Sequence, residues 1–152
     1  MGLEAGVGMS QAIFERAAQR GRELGLPYAG AVTPQEAWAL VSAQAAALVD
    51  VRTDEELYFV GRVPGARHVL WMGPVGVDAF IEELRRQVAP QTPVLMLCRS
   101  AARSHHAAAA AAAAGFEAAY NVLEGFEGKK DERHQRGHIN GWRKHGLPWE
   151  QD

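Results

Sequence analysis

The chain has 152 residues, of which 47% are hydrophobic and 22% charged, with a formal net charge of −2. That length and composition fit one globular domain and exclude wholesale disorder, and the near-neutral balance supplies no general attraction for nucleic acid or an anionic membrane. A single cysteine, Cys98, excludes an intrachain disulfide and with it a disulfide-built secreted scaffold.

Met1 to Gly8 is glycine-rich and reads as a frayed start, with neither the basic leader nor the apolar run of a targeting segment, so the expected compartment is the cytoplasm. Ser10 to Leu24 reads as a helix, with Ser10 as its N-cap and Ile13, Phe14, Ala17, Ala18 and Leu24 on one face. Gly25, Pro27 and Gly30 then break the pattern. Residues 1–32 are therefore expected to form an N-terminal helical extension packed on a domain that spans residues 33–152. Thr33-Pro34-Gln35-Glu36 opens the next helix with an N-cap, a proline at the first helical position and a capping-box glutamate.

Ala47 to Arg52 is a short apolar run ending in charges, the profile of a buried strand whose end reaches a functional edge. A short helix is expected over Thr53 to Leu57, a turn at Gly61, Pro64 and Gly65, and a short strand over His68 to Leu70. Asp78 to Val88 has the spacing of a helix with Phe80, Ile81, Leu84 and Val88 inward. Thr92 to Leu97 is the clearest buried strand, followed at once by Cys98, a polar loop, and an alanine-rich helix from about Ser104 to Ala114 that Gly115 ends. The alanine run is too short to span a bilayer and makes a smooth helix face for close packing. Ala119 to Leu123 is a last strand. Strands separated by helices imply parallel pairing through right-handed crossovers, hence a three-layer α/β domain with ligands bound outside the carboxyl ends of the strands. Cys98 falls there.

The tail differs. Residues 127–139 form a polar, mixed-charge stretch without an apolar period, read as a solvated loop, before Trp142 and Leu147-Pro148-Trp149 return apolar bulk that docks on the body.

The chemistry concentrates at Cys98-Arg99-Ser100-Ala101-Ala102-Arg103-Ser104. A cysteine between a strand end and a helix start lies at the focus of several backbone N–H groups and at the positive end of a helix dipole. Both favour a thiolate, and Arg99 and Arg103 add two cations. The same cradle suits an anionic group delivered to the sulfur. A purely structural cysteine would have no use for flanking guanidinium groups.

This loop resembles the active-site loop of rhodanese-type sulfurtransferases. The resemblance extends through Asp50-Val51-Arg52, Glu56 and Gly61-Arg62-Val63-Pro64-Gly65-Ala66, and resumes at Gly141-Trp142 and Gly146-Leu147-Pro148. It implies a rhodanese-like fold, a mostly parallel five-stranded sheet flanked by helices. It also implies that Cys98 takes sulfane sulfur from thiosulfate or a similar small anionic donor and passes it to cyanide, a thiol or a protein acceptor. No cofactor and no metal are called for. Arg99, Ser100, Ala101, Ala102, Arg103 and Ser104 are expected to bind substrate, and Asp50 and Arg52 to support the loop as a structural ion pair. With no second cysteine the acceptor must be external. The chain is expected to be a monomer or weak homodimer, with neither nucleic acid nor membrane as partner.

Two competing readings share these residues. A non-catalytic binding or sulfur-carrier module of the same family is opposed by the retention of Cys98 and both arginines. A cysteine-dependent phosphatase or arsenate reductase resembles Cys, five residues, then Arg, whereas only four residues separate Cys98 from Arg103 here. Within the resemblance, Ala101 stands where many rhodanese-type loops carry glycine, so a positive φ there would store strain. His105 and His106 follow the loop, but neighbours on a helix point about 100° apart, so at most one approaches Cys98. Arg62 and Arg67 could steer anions or simply be solvated. His134 and His138 have metal-ligand spacing on a helical face, without a supporting apolar stripe.

Overall fold

Five parallel strands form one sheet in the computed structural model, which describes residues 3–152. The strands are β1 (Gly30–Val32), β2 (Ala47–Asp50), β3 (Arg67–His68), β4 (Val94–Leu97) and β5 (Ala119–Val122). Their order across the sheet is β1-β5-β4-β2-β3. Around it lie α1 (Leu3–Leu24), α2 (Pro34–Ser42), α3 (Asp54–Val60), α4 (Val77–Gln87) and α5 (Ala102–Ala113).

Alternation along β4 assigns the faces. Val94 and Met96 join Phe80 and Leu84 of α4 and Ala107, Ala108 and Ala111 of α5 in one apolar layer. Leu95 and Leu97 point the other way, to Ile13 and Ala17 of α1, Leu40 of α2, Phe126 and Trp142. The alanine-rich helix does present a smooth inner face, with Ala107, Ala108 and Ala111 buried. All four residues of β4 are buried, as a strand covered on both faces requires.

The capping box at Thr33 is present, with both the Thr33 and Glu36 side chains engaged. Glu36 has a second task. Arg20 of α1 grips both its carboxylate oxygens at 2.6 and 3.0 Å and also donates to the Ala31 carbonyl at 3.0 Å. Burial works to raise the Glu36 pKa, but the hydrogen bonds from Arg20, Thr33 and Arg16 outweigh it and hold the carboxyl down to about 2.

Several boundaries differ from the sequence reading. The helix expected from Ser10 begins by Leu3, and Ser10 is a buried residue inside it; Met1 and Gly2 of the expected frayed start lie outside the described residues. Helix glycine costs only about 1 kcal/mol relative to alanine, and propagation from a turn already docked through Ile13 and Ala17 overrides it. Gly30, read as a breaker, begins a strand that pairs with β5. A Cβ on Gly30 would fall 2.1 Å from the Ala17 carbonyl oxygen, so this glycine permits α1 to lie directly on β1. β3 is shorter and earlier than His68 to Leu70, although Val69 and Trp71 still donate to the Asp50 and Val51 carbonyls. α5 starts two residues before Ser104, because the chain enters the helix immediately after the left-handed Ala101.

Residues 129–139 carry no helix or strand, yet they are tied to themselves. Asp131 accepts from the N–H groups of Arg133 and Gln135 and pairs with His138 at 2.7 Å. His134 and His138 thus sit on turns instead of the helical face their spacing suggested, and His134 has a positive φ. Trp142 is fully buried against Trp38, whereas Trp149 remains 40% exposed while packing edge-on to Phe126.

Candidate active site

β4 delivers Cys98 to the carboxyl edge of the sheet, and the chain needs only Arg99, Ser100 and Ala101 to turn into α5. Cys98 is 1% exposed. Its Sγ accepts from the Ala101 N–H at 3.2 Å and the Ser104 N–H at 3.4 Å, and lies 3.2 Å from Ser104 Oγ. Ala101 closes the turn at φ 81°, ψ 0°, the positive φ that its glycine-like position required. It is also the N-cap of α5 and supplies no side-chain acceptor, so the first turn is uncapped. Among the described residues no protein acceptor meets the N–H groups of Arg99, Ser100, Ala102 or Arg103. Two backbone donors at the start of α5 therefore reach the sulfur, and four more N–H groups of the same loop have no protein acceptor among the described residues, an arrangement that favours negative charge at the loop.

Ser104 links the sulfur to the sheet. Its hydroxyl donates to Asn121 Oδ1 at 2.6 Å, and Asn121 Nδ2 donates to the Ala101 carbonyl at 3.2 Å. With its proton directed to Asn121, Ser104 Oγ offers Cys98 an acceptor, while the two backbone N–H groups serve a thiolate. Sequence reasoning missed Asn121. The available signal was a lone amide within the buried run Ala119 to Leu123, where an unpaired polar group would be costly.

The loop is braced from behind. The Cys98 carbonyl accepts from Phe126 N–H at 2.8 Å, and the Arg99 carbonyl accepts from Glu127 and Gly128 at 3.0 and 3.2 Å. A Cβ on Gly125, at φ 71°, would lie 2.4 Å from both the carbonyl carbon and oxygen of Arg99. Gly125 is thus a requirement for the loop's position, a role its place in the tail did not suggest.

Asp50 and Arg52 form the expected pair, fully enclosed. Arg52 Nη2 donates to Asp50 Oδ2 and to the Gly61 carbonyl, each at 2.8 Å, and its guanidinium stacks 4.3 Å from the centre of the Phe126 ring. The pair reaches the loop through Phe126, not by direct contact.

Arg103 is already engaged. It binds both oxygens of Glu56 at 2.7 and 2.8 Å. Burial alone would raise the Glu56 pKa, but the Arg103 and Thr53 hydrogen bonds dominate and bring it down to about 2. Arg99, by contrast, has an exposed side chain. Ser100 is half-buried and Ala102 exposed at the rim. Arg62 is paired with Asp152 and Glu150, and Arg67 lines a separate groove with Thr92 and Pro93. His105 lies beside the loop with its Nδ1 2.6 Å from the Tyr28 hydroxyl; His106 is exposed next to it.

The site is thus a strand-end cysteine in a parallel α/β sheet whose sulfur accepts two backbone N–H groups at the start of a helix. Residues 33–132 match the Rhodanese-like domain family, and the chain belongs to it. The crystal structure of Rv0390 from M. tuberculosis is similar at 44% identity and TM-score 0.72, covering 82% of this chain and 99% of that one. The thiosulfate sulfurtransferase GlpE of Actinobacillus succinogenes is 29% identical, over 78% of this chain and 88% of its own. An uncharacterized protein of Rickettsia prowazekii is 32% identical, over 68% of this chain and 81% of its own. No helix among the described residues is long and apolar enough to cross a membrane.

Proposed function

We propose that this protein is a sulfurtransferase that moves sulfane sulfur from thiosulfate or a related anionic donor to an external acceptor through a Cys98 persulfide. The observation that carries the reading is the pair of loop N–H groups that donate to Cys98 Sγ, beside four further N–H groups of the same loop that have no protein acceptor among the described residues. In the first half-reaction the Cys98 thiolate attacks the outer sulfur of thiosulfate. The S–S bond of the donor breaks, its electron pair leaves with sulfite, and the persulfide remains, so one transfer becomes two. The free N–H groups hold the negative terminal sulfur, and exposed Arg99 faces the sulfonate as it arrives and departs. Arg103, locked to Glu56, positions the start of α5, its charge largely balanced by the Glu56 carboxylate. Ser100, Ala101, Ala102 and Ser104 act through their backbone N–H groups.

Thiosulfate sulfurtransferase names among the relatives support this class, and the four-residue spacing between Cys98 and Arg103 favours a single sulfur atom over a phosphoryl group. The test is intact-protein mass after incubation with thiosulfate and gel filtration. The expected result is a gain of one sulfur atom, removed by cyanide and absent in Cys98→Ser. No gain, with phosphate released from an aryl phosphate, would overturn the reading in favour of a phosphatase.

A further inference from the structure

A cleft of about 450 Å³ adjoins the cysteine loop, within the size range of small-molecule sites. One wall is the loop itself, Ser100 to Ala102. The opposite wall is apolar and comes from Leu24, Leu26 and Tyr28, with Leu123 just past β5. Those first three residues precede the segment that matches the family, residues 33–132, so this wall is supplied by α1 and the turn after it.

The polar groups of the cleft are few and oriented. Tyr28 is kept in its protonated form by burial, which raises its pKa, and its hydroxyl lies 2.6 Å from His105 Nδ1. Asn121 is held by Ser104 and the Ala101 carbonyl. No carboxylate lines the cleft among the described residues. An apolar wall with neutral donors and no acid suits a thiol that must become an anion at its sulfur end. The cleft lies one residue from the nucleophile, since Ala101 both lines it and donates its N–H to Cys98 Sγ.

We propose that this cleft binds the sulfur acceptor, a small organic thiol with an apolar body. The proposal rests on the sulfurtransferase reading, and the single cysteine makes an external acceptor necessary in it. The acceptor sulfur attacks the outer sulfur of the Cys98 persulfide. The bond between that sulfur and Sγ breaks, its electron pair returns to Sγ as the thiolate, and the acceptor leaves as a hydropersulfide carrying the proton its thiol brought. No oxidant or reductant is consumed.

The test compares phenylmethanethiol with 2-mercaptoethanol as acceptors for thiosulfate-loaded protein. Wild type should prefer phenylmethanethiol by about tenfold in kcat/KM, the ratio that roughly 1.4 kcal/mol of apolar contact supplies. Leu24→Glu should bring that ratio to about one; Leu24 is 62% exposed, so the change leaves the core intact. Leu26→Ala should lower the ratio as well. Equal use of the two thiols by wild type, or a preference that survives both substitutions, would overturn the cleft assignment while persulfide formation stands. Failure to gain sulfur from thiosulfate at all would overturn the sulfurtransferase reading and this one with it.

Discussion

Arg103 reaches across from the first turn of α5 to clasp Glu56 of α3 through both carboxylate oxygens. The two residues are far apart in sequence, and the clasp joins the cysteine loop to the short helix capped by Thr53. Replacing Glu56 by Gln should destabilise the fold by about 1 kcal/mol, the scale of a partly exposed ion pair. The folded Glu56 pKa is depressed to about 2 from an ordinary 4.5. The difference between wild type and Glu56→Gln should therefore be full above about pH 4.5 and disappear as pH falls through about 2. Urea midpoints across that range check it; a difference that grows on acidification would contradict the clasp.

Gly125→Ala should be far more damaging than an alanine elsewhere in the tail. The new methyl group meets backbone, which cannot rotate away, and φ 71° adds strain. We expect a loss of at least about 2 kcal/mol and a severe drop in sulfur uptake by Cys98. Gly146→Ala, with φ 74° but no neighbour within 4 Å of the added atom, is the control that isolates the contact from the strain.

Asp50→Ala removes the partner of a guanidinium that has no access to water. Breaking a buried pair from one side costs about 3–5 kcal/mol. Denaturant unfolding should report a loss of that size, much larger than for Glu56→Gln. An effect below 1 kcal/mol would show that Arg52 finds compensation from Gly61 and Phe126 alone.

Ala101→Gly should be neutral or mildly stabilising. Relief of the left-handed conformation, about 1 kcal/mol, exceeds the added freedom of the unfolded chain. A gain near 0.5 kcal/mol in unfolding free energy is expected, and a loss of 1 kcal/mol would mean that the alanine methyl group contributes packing at the cleft.

What the sequence disclosed was local. The run Val94 to Leu97 followed by Cys98, the capping box at Thr33 and the alanine helix all depend on residues a few positions apart, and each is found where the patterns indicated. The loop was legible for the same reason. What stayed hidden is long-range. Gly30 looks like any helix breaker until Ala17 is seen against it, and the residues that meet Ser104, Arg103 and Arg99 lie 17, 47 and 26 residues away, at Asn121, Glu56 and Gly125. Periodicity carries no information on such pairings, because the sheet order that creates them skips from β2 to β4 and from β5 to β1.

The excursion over residues 129–139 is closed at its base. Lys129 N–H donates to Asn140 Oδ1 at 2.9 Å, and the missing Cβ of Gly128 lets the two strands of the neck touch. The brace behind Cys98 ends at Gly128, just before that neck, and Gly141 and Trp142 return just after it to bond Glu124 and Gly125. Past the clip, Gly137 N–H and Arg136 Nη1 still donate to the Glu127 and Gly128 carbonyls of the brace. Only at the tip of the excursion, therefore, does chain added or removed cost mainly a closure entropy that grows with the logarithm of length. The tip of this surface can vary in length and sequence with little effect on the sulfur, whereas Arg136 and Gly137 are coupled through the brace to the loop that holds Cys98.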